Sequence, residues 1–392
     1  ILDDSRWVVK SERDGWSHLY LFDNNGFQIA QLTSGKFDVT KFYGFDPVRK
    51  LFYYQAAAES PLRREVYFIS QDGKKKGKIS SLQGTNDVVF SKNFNYYVNF
   101  YSSSKTPTLV TVHENTKNTQ LRVLQDNTVL NNTLKSLQLP QKELFSFTTS
   151  QGVQLNGYMI KPEGFADGKK YPVVMTQYSG PNSQSVADSW KSIGWENYLA
   201  QEGFLVVCVD PRGTAARGED FRKITYMQLG KYESDDMVEA AKYLGTQPFV
   251  DKNNIAIFGW SYGGFMVLLT MEKGGELFKA GISVAPVTSY RFYDSVYTER
   301  YMRTPAENRE GYDENAPLNH AGDIKGRLLI IHGSADDNVH AQNTYEFTEK
   351  LVQAGVQFDM AIYTNRNHGI RGGNTSMHLY TKMTDFLKNQ LK

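Results

Sequence analysis

A single cysteine, Cys208, in 392 residues excludes any internal disulfide. It lies inside the apolar run Phe204 to Val209, where a thiol reads as a small core hydrophobe, so the cysteine count is silent on compartment. No apolar run approaches the length needed to span a bilayer, and nothing at the amino terminus resembles a secretion signal. The chain opens Ile-Leu-Asp-Asp without Met, which reads as a processed or cloned boundary, so that missing signal excludes little. Charge is not concentrated either: 44 basic and 42 acidic residues nearly cancel, and no five like charges are consecutive. The nearest approach, Lys74-Lys75-Lys76-Gly77-Lys78, reads as a solvated hairpin turn rather than a nucleic-acid patch. No cysteine and histidine cluster suggests a metal, and no cofactor is implied.

Aromatic residues are plentiful. The 24 Tyr and 23 Phe favour a β-rich region and an aromatic-lined site. Leu19-Tyr20-Leu21-Phe22, Val66-Tyr67-Phe68-Ile69 and Leu109-Val110-Thr111-Val112 are strand candidates spaced by 47 residues (19 to 66) and 43 residues (66 to 109). Between them, Phe45-Asp46-Pro47 before a strand at 51–54 recurs as Phe90-Ser91-Lys92 before a strand at 96–98. A period near 45 residues with four short strands is the signature of propeller blades. Residues 1–138 therefore read as a partial β-propeller of about three blades. A closed propeller takes at least about four blades, so an amino-terminal portion that completes it is expected before Ile1. A small antiparallel sandwich is the competing reading.

From 139 to 392 the pattern becomes α/β. Buried runs at 173–176, 205–209, 255–258, 280–284, 328–331 and 358–362 alternate with helical segments around 190–202, 233–245, 264–273, 341–354 and 376–391. That alternation implies a mostly parallel, doubly wound sheet with reactive groups beyond the carboxyl ends of its strands. The run Ile255 to Phe258 leads through Gly259-Trp260-Ser261-Tyr262-Gly263 into a helix, a G-x-S-x-G turn. A serine hydroxyl is a weak nucleophile and must protrude where a base can take its proton; the two glycines relieve the crowding of so sharp a turn. The N–H of Tyr262, at the helix start, is placed to donate to a developing oxyanion.

Partners for Ser261 are sought at other strand exits. The strand at 328–331 leads into His332-Gly333-Ser334-Ala335-Asp336-Asp337-Asn338-Val339, and the strand at 358–362 into a loop that ends at His368-Gly369. Of the seven histidines, only His340, His368 and His378 follow these aspartates, and His368 alone occupies a loop directly after a strand. Serine, aspartate and histidine in that order fit an α/β-hydrolase. The acid is Asp336 or Asp337, with the turn favouring Asp336.

These residues resemble a family. Gly-Trp-Ser-Tyr-Gly-Gly at 259–264, Tyr-Ser-Gly-Pro at 178–181, Asp-Ser-Val-Tyr-Thr-Glu-Arg-Tyr at 294–301, His-Gly-Ser-Ala-Asp-Asp-Asn-Val-His at 332–340 and His-Gly-Ile at 368–370 resemble the dipeptidyl peptidase IV branch of the prolyl oligopeptidases. The likeness runs through about 142–392. It implies a propeller followed by an α/β-hydrolase domain, with Ser261 as nucleophile, Asp336 as orienting acid and His368 as base. It also implies that the phenol of Tyr178 joins the Tyr262 N–H in the oxyanion hole. Tyr262, Val287, Tyr290, Tyr293, Tyr297 and Val339 match the family's proline pocket, and Asn338 matches a position that holds the substrate carbonyl. Tyr290 departs from the tryptophan usual in the animal enzymes.

The activity so implied is release of X-Pro, or less well X-Ala, dipeptides through an acyl-enzyme. The family grips the substrate amine with paired glutamates on the propeller, and no Glu-Glu pair occurs in 1–138. A prolyl endopeptidase, tripeptidyl peptidase or acyl-peptide hydrolase shares the triad; an esterase or a non-catalytic propeller scaffold stands further off. The resemblance also implies an extracytoplasmic bacterial enzyme and allows a homodimer through the carboxyl-terminal helix.

Overall fold

The computed structural model describes Leu2 and residues 5–392. It divides into two compact units, one of Ile1–Gln141 with Ala187–Ser192 and Ala215–Arg222, the other of Lys142–Val186, Ile193–Thr214 and Lys223–Lys392.

The first unit is a partial β-propeller of three antiparallel sheets. They comprise Trp7–Ser11, His18–Phe22 and Gln28–Gln31; then Val39–Asp46, Leu51–Ala56, Glu65–Ser70 and Lys76–Lys78; then Thr85–Phe90, Tyr96–Ser103, Thr106–Glu114 and Thr119–Gln125. The three repeated strand candidates each fall in the next-to-last strand of a sheet. Alternation along Leu51–Ala56 explains the stacking, because successive side chains leave opposite faces of a strand. Phe52, Tyr54 and Ala56 pack with Leu19, Leu21 and Ile69, whereas Leu51 and Tyr53 pack with Val66, Val88 and Tyr97. One central strand thus serves two cores.

Two later segments are built into this unit. Asp188 donates its N–H to Leu62 O at 2.8 Å and accepts the N–H of Ser104 at 2.8 Å. Glu219 donates to Gly15 O at 2.8 Å, and Gly218 to Asp38 Oδ2 at 3.1 Å.

The second unit is an α/β-hydrolase. Its strands, numbered within the unit, are β1 (Lys142–Thr148), β2 (Gln154–Ile160), β3 (Tyr171–Thr176), β4 (Leu205–Asp210), β5 (Val250–Trp260), β6 (Ala280–Val284), β7 (Arg327–Gly333) and β8 (Phe358–Tyr363). They lie in the order β1-β2-β4-β3-β5-β6-β7-β8. From β4 onward every pairing is parallel, and β4 and β6 are buried at every residue, as sheets covered on both faces require. The antiparallel pair β1 and β2 lies outside the expected set of six runs. Its first strand mixes Lys142, Glu143 and Ser146 with Leu144, Phe145 and Phe147, and so lacks a continuous apolar run. The five expected helices form at Trp195–Gln201, Lys231–Gly245, Tyr262–Gly274, Gln342–Gln353 and Thr375–Leu391, and further ones at Ser295–Met302 and Arg309–Glu314. Among the described residues no helix is long and apolar enough to cross a membrane.

Candidate active site

The site gathers at the carboxyl ends of β3, β5, β6, β7 and β8. At the end of β5 the chain turns through Ser261 with φ 62° and ψ −119°, a conformation that costs a non-glycine residue on the order of 1–3 kcal/mol. The turn is enforced by packing. A Cβ on Gly259 would lie 2.2 Å from Gly263 O, and one on Gly263 would lie 2.6 Å from Gln177 O. Ser261 N–H donates to Val284 O at 2.8 Å, which fastens the elbow to the exit of β6.

Asp336 and His368 meet directly. His368 Nδ1 lies 2.7 Å from Asp336 Oδ2, and the carboxylate is buried while the imidazole keeps a partly open edge. Asp337, the adjacent alternative, is exposed. Asp336 Oδ1 accepts the N–H groups of Asn338 at 3.0 Å and Val339 at 2.9 Å. Burial alone would raise the pKa of Asp336, but hydrogen bonds from His332 and His368 outweigh it and hold the group well below the usual carboxylate range. A fixed carboxylate at Nδ1 keeps the proton there and leaves Nε2 as the acceptor.

Three residues outside the expected set support this pair. His332 is fully buried, with Nδ1 2.7 Å from Thr344 Oγ1, Nε2 2.8 Å from Val339 O and 3.3 Å from Asp336 Oδ2. The carbonyl partner places its proton on Nε2. Trp260 Nε1 donates to His368 O at 3.0 Å, tying the histidine loop to the residue before Ser261. Gln177 Nε2 donates to Gly263 O at 2.8 Å and joins the exit of β3 to the elbow. Among the hydrogen bonds of the described residues, none runs from Ser261 Oγ to His368. Catalytic hydrogen bonds of this kind often tighten only when substrate is present.

Tyr178 follows β3 by two residues, with its ring centroid 6.1 Å from that of Tyr262. Desolvation, then the neighbouring Tyr301, raises its pKa, so the phenol remains a donor. A Cβ on Gly180 would lie 2.6 Å from the Tyr178 ring, so only glycine lets this ring fold over its own turn.

The expected pocket tyrosines form one cluster. The rings of Tyr290 and Tyr297 are stacked at 6.4 Å, Tyr293 sits edge-on to both at 6.3 and 5.4 Å, and Tyr262 lies 6.4 Å from Tyr290. Tyr262 opens the helix Tyr262–Gly274, Tyr290 lies in a 3-10 turn at Tyr290–Phe292, Tyr293 caps that turn and Tyr297 lies in the helix Ser295–Met302. Tyr293 Oη donates to Asn338 Oδ1 at 2.7 Å and links the cluster to the Asp336 turn. Val339 and Val287 are buried, Val287 just past the exit of β6.

The chain is similar to known proteins along its whole length. Residues 191–392 match the family model of the prolyl oligopeptidase family, and residues 1–108 match that of the dipeptidyl peptidase IV (DPP IV) N-terminal region. A probable dipeptidyl peptidase 4 of Emericella nidulans is 35% identical over 98% of this chain and 52% of its own length. The human prolyl endopeptidase FAP is 35% identical over 98% of this chain and 51% of its own. The crystal structure of Porphyromonas gingivalis dipeptidyl peptidase 4 superposes with a TM-score of 0.97 at 51% identity, over 100% of this chain and 55% of that one. The chain therefore spans about half the length of the relatives it matches.

Proposed function

Because the chain belongs to the prolyl oligopeptidase family, in its dipeptidyl peptidase IV branch, we propose that the protein is a serine exopeptidase releasing X-Pro or X-Ala dipeptides from peptide amino termini. The observation that carries this reading is the Asp336–His368 bond, on a loop tied by Trp260 to the serine elbow.

In the proposed reaction Ser261 Oγ attacks the carbonyl after proline while His368 Nε2 takes its proton. Asp336 holds the imidazole tautomer, and the Tyr262 N–H with the Tyr178 phenol takes up the negative charge on the carbonyl oxygen. His368 returns the proton to the leaving amine, and water, deprotonated by the same imidazole, cleaves the ester to release the dipeptide. The aromatic cluster of Tyr262, Tyr290, Tyr293 and Tyr297, with Val287 and Val339, is proposed to hold the flat proline ring, and Asn338 the adjacent carbonyl. Residues 1–138 and 139–392 are proposed as the propeller and catalytic domains.

Ser261→Ala should abolish hydrolysis of a glycyl-proline chromogenic substrate and labelling by a fluorophosphonate while the fold persists. Full activity in that variant would reject the reading. A relative named as an endopeptidase gives a second reading its weight, and an amino-blocked glycyl-proline substrate separates the two, since an exopeptidase rejects it. An extracytoplasmic setting and a homodimer through Thr375–Leu391, whose Met377 and Tyr380 are exposed, complete the proposal. Cell fractionation and sedimentation test them.

A further inference from the structure

Behind the tyrosine cluster lies a carboxylate that the acyl-transfer scheme does not use. Glu233 stands in the first turn of the helix Lys231–Gly245 and is wholly buried. Its Oε1 accepts the hydroxyl of Tyr262 at 2.7 Å, and its Oε2 accepts the N–H of Gly230 at 3.1 Å. Both oxygens act as acceptors, which suits an ionised carboxylate. Protonation removes the charge that strengthens both bonds, and a proton on Oε1 reverses the Tyr262 contact, so that the phenol must accept where it had donated. Gly230 cannot yield: its φ is 89°, and a Cβ there would lie 2.4 Å from Leu269 Cδ1 and 2.5 Å from Phe265 Cζ, so its backbone is wedged against the helix Tyr262–Gly274. The Tyr262 hydroxyl, able both to donate and to accept, is therefore the partner whose bond changes with the charge on Glu233.

Tyr262 serves the site twice. Its ring lies between those of Tyr178 and Tyr290, at 6.1 and 6.4 Å, and its N–H opens the helix beside Ser261. The charged side chain that acts on Glu233 most strongly is itself acidic. Asp236, on the same helix, is committed to Arg212 through contacts of 2.7 to 3.0 Å, and the phenols of Tyr290 and Tyr297 interact with Glu233 from the far side of Tyr262. Burial, reinforced by Asp236, pushes the Glu233 carboxyl up to about 7.

We propose that Glu233 is a positioning residue whose ionised form fixes the Tyr262 phenol through a charge-assisted hydrogen bond in the arrangement that binds substrate, and whose protonation weakens that bond and, with it, substrate binding. This inference rests on the peptidase reading above and adds to it a control point at the floor of the site.

The test is the pH dependence of kcat/KM on glycyl-proline p-nitroanilide for the parent protein, Glu233→Gln and Tyr262→Phe. His368 must also lose a proton to act, so the acid limb of the parent should follow two protons. Glu233→Gln removes one of them and replaces the charged acceptor of Tyr262 with a neutral amide. Its limb should follow a single proton, and its KM at pH 8 should rise roughly tenfold, with kcat changed less. Tyr262→Phe leaves the Gly230 contact intact but uncouples the carboxylate, so its limb should also follow one proton; it decides the matter alone should Glu233→Gln not fold. An active parent whose variants keep its limb and its KM sinks this inference and leaves the peptidase reading standing. An inactive parent sinks both.

Discussion

The indole of Trp260 donates to the backbone oxygen of His368 at 3.0 Å. The residue before the candidate nucleophile thus holds the loop of the candidate base, although 108 positions separate them in sequence. Trp260→Phe keeps an aromatic side chain, smaller by the pyrrole ring, and removes this bond. The loss of a single hydrogen bond, about 1 kcal/mol, should lower kcat/KM between fivefold and tenfold and leave KM nearly unchanged. Steady-state kinetics on a glycyl-proline substrate check this, and an unchanged kcat would show that the loop is held by other contacts.

Two adjacent aspartates stand at the β7 turn, and only Asp336 reaches the imidazole. Asp336→Asn should reduce kcat by roughly 10³–10⁴, because an amide no longer stabilises the imidazolium and the favoured tautomer is lost. Asp337→Asn, at an exposed position, should stay within about twofold, as surface substitutions usually do. Equal losses in the two variants would overturn the assignment.

The serine elbow was legible in sequence because its geometry demands glycine at fixed spacing, and glycines are visible in a string of letters. The order of Ser261, Asp336 and His368 along the chain was legible for a similar reason, since each follows a buried strand. Glu233 was not. A glutamate in the first turn of a helix reads as a solvated cap, and it is tertiary contact, with Tyr262 among its partners, that buries this one. His332 precedes the acid in sequence, where the order of a triad gives it no role, yet it touches the same carboxylate oxygen as His368. Nor does anything in Ala187–Ser192 or Ala215–Arg222 announce that these segments join the propeller unit; their ties to Leu62, Ser104, Gly15 and Asp38 are long-range hydrogen bonds without a local pattern.

The elbow glycines differ in what they would strike. On Gly263 a Cβ would lie 2.6 Å from Gln177 O and 3.4 Å from Tyr178 Cα, so Gly263→Ala must displace the backbone that carries Tyr178. A destabilisation of about 1–3 kcal/mol is expected, together with a fall in kcat. Gly245 closes its helix with a Cβ site at an ordinary 3.5 Å from Lys252 Cβ, and Gly245→Ala should be neutral or stabilising by up to about 1 kcal/mol. Urea unfolding of the two variants beside the parent distinguishes these outcomes.

Glu272 offers the clearest test of stability against pH. It lies on the buried side of the helix that follows Ser261, and both its carboxyl oxygens are buried without a hydrogen-bond partner. Burial raises its pKa well above 4.5, Asp323 adds to the shift and Lys273 offsets part of it. A carboxyl whose pKa is raised by folding binds its proton more tightly in the folded chain. Its contribution to stability is therefore complete below about pH 4.5 and is lost as pH rises through the folded value. Glu272→Met keeps the length of the side chain and removes both the charge and the unpartnered oxygens. The variant should exceed the parent by roughly 1–3 kcal/mol at pH 8, and the gap should narrow on acidification toward pH 4.5. Thermal unfolding across that range measures it. A gap that stays constant would mean that folding leaves the carboxyl's pKa unshifted, and one that widens in acid would mean that an unrecognised cation holds it ionised.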